Sequence, residues 1–197
     1  MDVKLLLNWL TGNVPSKKNQ WLCQNRDIFQ ARLDHLQKIL LKNGVTEVES
    51  YLVIATLGEI GNNCFDHNLG QWKTAFGCWL QYEVTNHLLV VFIADQGQGV
   101  LNSLKRADPT LSSDQDALET AFSKRISGRH PEKRGNGLKF VRNVINHNPN
   151  KKLICISGSG KIELGSFDFI DKVYKKLKTN SISGTLTFLG WNFKNEN

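Results

Sequence analysis

The chain lacks any run near the roughly 18 apolar residues that a spanning helix needs. Its longest apolar stretches, such as Leu88 to Ala94, are strand-sized, so no membrane partner is expected. Cysteine is scarce: Cys23, Cys64, Cys78 and Cys155 stand singly, with no CxxC pair and no Cys/His cluster. That spacing argues against zinc. Free thiols fit a reducing compartment, so a cytoplasmic location is expected. The apolar start, Met1 to Leu10, has neither a basic leader nor a small-residue cleavage site and is not read as a signal peptide. Internal repeats and linker-like stretches are also missing, which leaves one domain of ordinary size at 197 residues.

What is present is a soluble globular composition, with 40% hydrophobic and 22% charged residues. The net charge of +7 permits an anionic partner. No basic stripe interleaved with aromatics stands out, so a solvated basic surface is preferred to a nucleic-acid interface.

Apolar periodicity predicts a short helix over 2–10, a second over 27–42 stopped by Asn43-Gly44, and a third over about 47–67. Strands are expected at 75–84 and 87–95, joined tightly at Thr85-Asn86. Residues 100–134 are polar and carry Pro109, Pro131 and many charges, so they read as a long functional loop with a short helix over 114–124 inside it. A glycine-led helix over 137–146, strands at 152–157 and 185–191, and an amphipathic helix around 167–177 complete the reading.

Four motifs carry candidate chemistry. The third helix bears Glu59, Asn63, Asp66 and His67; spacings of four and then three put Glu59, Asn63 and Asp66 on one face. An Asn amide oxygen suits Mg²⁺, which prefers oxygen donors. A Glu one turn away can act as general base. The second motif is Asp95-Gln-Gly97-Gln-Gly99, directly after an apolar strand. A carboxylate there can accept a hydrogen bond from an exocyclic amine such as that of adenine. The third is Arg134-Gly135-Asn136-Gly137-Leu138 before a helix, whose free N–H groups and dipole favour phosphate. It is neither a P-loop nor a complete GxGxxG, since Phe140 stands at the third glycine position. The fourth is Ser183-Gly184-Thr185, where a hydroxyl enters the last strand. Each alone has a bland reading as a polar helix face, a glycine turn or a strand start.

In this order, over Glu59 to Thr185, the motifs resemble the N, G1, G2 and G3 boxes of the histidine-kinase-like (GHKL, Bergerat-fold) ATPase superfamily. The resemblance implies a two-layer α/β sandwich, with helices on one face of a mixed, mostly antiparallel sheet. It further implies ATP and Mg²⁺ as ligands. Asn63 would hold the metal, Asp95 the adenine amine, and Gly97, Gly99, Gly135 and Gly137 the nucleotide and phosphate cradle. Thr185 would support Asp95, Glu59 would be the catalytic base, and Asp66 and His67 would lie near the phosphates. Residues 1–45 would form a helical extension on an ATP-binding domain of 46–197, with the lid at 100–134. Lys124, Arg125, Arg129, His130, Lys133 and Arg134 would then stand ready for triphosphate charge.

Fold does not give function, so the subclass is argued separately. His35 lies only 24 residues before Glu59, too few for the dimerising hairpin of a sensor histidine kinase, and it reads as a surface histidine. A gyrase-type second domain has no room here. The small anti-sigma or serine-kinase-like branch is the nearest likeness. It implies γ-phosphoryl transfer to water or to a partner protein in a regulatory role. The alternatives are an ATP-gated protein-binding module with little turnover and a nucleic-acid-associated ATPase. The group often pairs outside the ATP pocket, and the N-terminal helices are the candidates for a homodimer contact.

Overall fold

A computed structural model describes residues 3–12, 20–68, 76–123, 136–166 and 182–193. The chain order is α1 (Val3–Leu10), β1 (Leu22–Cys23), α2 (Arg26–Lys42), α3 (Glu47–Asp66), β2 (Cys78–Thr85), β3 (Leu88–Asp95), α4 (Gly99–Leu104), α5 (Asp114–Ser123), α6 (Gly137–Asn146), β4 (Lys151–Gly158), β5 (Gly160–Gly165) and β6 (Ile182–Asn192).

The two long helices begin where side chains can satisfy their free N–H groups. The Asn25 side chain accepts from Ile28 N at 2.9 Å, and Thr46 Oγ1 accepts from Glu49 N at 3.3 Å. α2 ends as Asn43 Nδ2 donates to Ile39 O, and Gly44 follows at φ +80°. α3 buries Val53, Leu57, Ile60 and Cys64 on one side. Where α2 crosses it, a Cβ on Gly61 would lie 2.0 Å from the Phe29 ring, so the two backbones approach over a glycine.

The strands form one six-stranded sheet, ordered β1-β2-β3-β6-β4-β5. Every described pairing is antiparallel. Strand alternation sorts the core into two layers. Leu89, Val91 and Ile93 point to the helices α2 to α6, while Val90, Phe92 and Ala94 point to the other face, where α1 lays Leu6, Trp9 and Leu10. The expected single helical layer is therefore supplemented by α1 on the opposite face. Trp9 packs on Trp79, with centroids 5.3 Å apart, and Phe92 stacks on Phe188 at 4.6 Å.

Residues 1–45 do more than lean on the sheet. β1 pairs with β2, and Phe29, Leu33, Leu36 and Leu40 of α2 belong to the same core as α3. The stretch read as a lid holds one helix more than expected, since α5 matches the helix read over 114–124 and α4 is additional. Over 99–123 the polar stretch folds into α4 and α5, because Leu104, Leu111, Ala117, Leu118 and Phe122 are spaced to bury against the sheet. Residues 124–135 lie outside the described residues, as does the predicted helix around 167–177. Three elements were not foreseen: the two-residue β1, the one-and-a-half-turn α4, and the edge strand β5 bracketed by Gly160 and Gly165. The hairpin turn falls on Asn86 and His87, since Thr85 pairs with Leu88. Among the described residues, no helix is long and apolar enough to cross a membrane.

Gly61→Ala should destabilise the fold by about 1–3 kcal/mol, because the added methyl overpacks the buried Phe29. The midpoint of urea unfolding should fall accordingly.

Candidate functional site

The position of β6 decides where the site forms. It inserts between β3 and β4, and its register sets Asp95 opposite Thr185 and Thr185 opposite Ser157. Residues from three separate parts of the chain thus meet at one end of three adjacent strands. Gly184 makes this close approach at φ +85°; a Cβ there would stand 2.1 Å from Asp95 O.

Above that strand end lies a cavity of about 440 Å³, within the size range of small-molecule sites. Ile93, Cys155 and Thr187 form part of its floor, Leu104 and Phe122 of α4 and α5 one wall, and the cleft-facing side of α3 another. Glu59, Asn63, Asp66 and His67 all reach it from α3, as do Asp95, Gly99 and Thr185 from the strand ends and Asn136, Gly137 and Leu138 from the start of α6. Gly97 does not line it. Arg134 and Gly135 lie outside the described residues.

Asp95 sits at the bottom, only 4% exposed. Burial pushes its carboxyl up to about 6, against the pull of donors from Gly97, Asn68, Cys64 and the Thr185 main chain. Gly97 N donates to Asp95 Oδ1 at 2.8 Å, and Asn68 Nδ2 donates to the same oxygen at 2.9 Å. Thr185 donates to Asp95 through its main-chain N–H, not through the hydroxyl that the sequence singles out.

Asn68 was missed by sequence reasoning, although it organises this corner. It is 3% exposed. Its amide also donates to Cys64 O at 2.9 Å, and its Oδ1 accepts from Gln98 N at 3.0 Å. The absent side chain of Gly97 gives it room, since a Cβ there would meet Asn68 Oδ1 at 1.9 Å. Gly97 therefore shapes the loop from behind the cavity. The only signal in the sequence was a polar residue just past a helix end, and that position takes polar residues for many reasons. Ser157 was missed too. Its hydroxyl donates to Gly184 O at 3.0 Å and accepts from Val100 N at 2.9 Å, which pins the start of α4 to β4 and β6.

At the other end, the Glu59 carboxylate lies against the first residue of α6. A Cβ on Gly137 would stand 2.0 Å from Glu59 Oε2. The Asn136 side chain makes no capping bond there. His67 Nδ1 and Ser103 Oγ are 2.8 Å apart, and Asp66 pairs with Arg26 of α2. As a metal donor, Asn63 offers the hard amide oxygen that Mg²⁺ accepts alongside phosphate oxygens. Among the described residues, no three His, Cys, Asp or Glu side chains gather as a metal site of their own.

No family model matches the chain, and no curated protein matches it.

The raised Asp95 carboxyl has a consequence for stability. The native state keeps a proton that the unfolded chain releases near 3.8, so this stabilisation is complete below that pH and is lost as pH rises to about 6. Asp95→Asn should flatten the stability profile between about pH 4 and 6, removing a change on the order of 3 kcal/mol read by denaturant titration. Asn68→Ala should destabilise by about 1–3 kcal/mol, since it leaves buried partners unmet.

Proposed function

We propose that the chain binds Mg²⁺-ATP in this cavity and passes the γ-phosphoryl group to water or to a hydroxyl of a partner protein, as a regulatory enzyme. The observation that carries the reading is the buried Asp95 carboxylate at the floor of the cleft that α3 and the start of α6 also line. A buried carboxylate acceptor at the cleft floor suits the exocyclic amine of adenine, and the apolar floor suits its ring. The start of α6, with free N–H groups and Gly137 in place of a side chain, suits the phosphates. The likeness of the four motifs to histidine-kinase-like ATPases points the same way.

In this reading Glu59 accepts the proton of the attacking hydroxyl. A new oxygen–phosphorus bond forms at the γ-phosphorus, the bond to the β–γ bridging oxygen breaks, and ADP leaves. The N–H groups of α6 hold the charge on the transferring group. Asn63 would hold Mg²⁺ through its amide oxygen, and the ion, when bound, neutralises phosphate charge.

One observation favours a second reading, an ATP-gated binding module with little turnover. The Glu59 carboxylate rests against Gly137, where phosphate would sit, so nucleotide must displace it and alter the cleft.

Incubation with Mg²⁺ and γ-labelled ATP separates the two. For the enzyme, Glu59→Ala should keep nucleotide binding and lose about 10²–10⁴ in label transfer. Asn63→Ala should weaken Mg²⁺-dependent binding by at least the roughly 10- to 100-fold that losing an outer-shell partner costs. Binding without transfer in the wild type supports the gated module, and no binding at all sinks both. ATP binding should also fall as pH drops through about 6, because a protonated Asp95 no longer offers the adenine amine an ionised acceptor.

A further inference from the structure

The described cavity lining carries an imbalance of charge. Three carboxylates reach it, from Glu59, Asp66 and Asp95, while Arg26 is the one lysine or arginine among the described lining residues. Arg26 is the first residue of α2, in a segment that the four motifs leave out. Its side chain is 52% exposed, and its guanidinium pairs with Asp66, whose side chain is 13% exposed. Asp66 stands one turn beyond Asn63 and two beyond Glu59 on the cleft-facing side of α3. The cation is thus at the rim, held by an acid of the candidate phosphate-binding face.

A triphosphate brought into this cleft meets like charge from the three carboxylates, and each uncompensated contact weakens binding. An arginine already at the rim can offset it, and its fork of donors fits phosphate oxygens bidentately. From this we infer that Arg26 is a phosphate ligand contributed by α2. In the empty cleft Asp66 holds it, and bound nucleotide takes at least one of its donors. The assignment rests on the nucleotide reading of the cavity and gives the N-terminal segment a direct part in it. Arg26 touches the bound phosphates and takes no proton.

The bland alternative is a salt bridge that staples α2 to α3. The two differ in sign. A staple loses the same interaction whichever partner is removed. A ligand held by a competitor behaves oppositely for the two partners.

Calorimetric titration of the full chain with adenosine, ADP and ATP, in Mg²⁺, tests this. Arg26→Gln should weaken ATP and ADP about tenfold or more while adenosine binds as in the wild type. Arg26→Lys should recover part of the loss, and Asp66→Asn, which frees the guanidinium, should tighten ATP. Thermal melts of each variant report folding separately. Equal losses for adenosine and ATP in Arg26→Gln, or matching losses in Arg26→Gln and Asp66→Asn, would overturn the assignment and leave the nucleotide site standing. A wild type that binds neither adenosine nor ATP would overturn the nucleotide reading and this assignment with it.

Discussion

Burying a carboxylate is costly unless donors surround it, and Asp95 is buried. The arrangement around it follows from that demand. Gly97 turns its N–H back onto the side chain, and Asn68 brings a second donor from the end of α3. Asn68 is itself held by Cys64 O and Gln98 N, so the α3 terminus, the end of β3 and the approach to α4 form a single bonded unit. The compensation is partial, since the carboxyl still sits at about 6.

Topology supplies the other half of the constraint. Were β6 at the edge of the sheet, Thr185 and Gly184 would stand far from Asp95. With β6 between β3 and β4, a long excursion of chain returns to the centre, and Ser157 closes the joint through bonds to Gly184 and Val100. Main-chain pairing therefore locates the cavity floor, while α3 and α6 supply the polar groups around it.

Much of this was legible because it is local. The periodicities of 27–42 and about 47–67 marked α2 and α3, and the apolar run 88–94 marked the central strand. The i, i+4, i+7 spacing of Glu59, Asn63 and Asp66 placed them on one face, and all three reach the cavity. What escaped depends on contacts distant in sequence. Asn68 matters because of Asp95, 27 residues away, and Ser157 because of Val100, 57 away. Periodicity has no access to either. α4 hid in a polar stretch because a few apolar residues suffice when the sheet supplies the other wall. β5 hid because an edge strand of six residues ending in glycines resembles a loop.

Gln96 lies between two residues of the cleft corner and points the opposite way. Its amide donates to the main-chain oxygen of Trp9, in the last turn of α1 beneath the sheet. The loop that carries Asp95 is thus fastened from both sides, to Asn68 above and to α1 below. Anyone shortening the chain to obtain a more tractable fragment would find that the first ten residues are not ornament. Cutting them away would bare Trp79, Phe92 and Phe188 and would also release one anchor of the loop on the far side of the sheet.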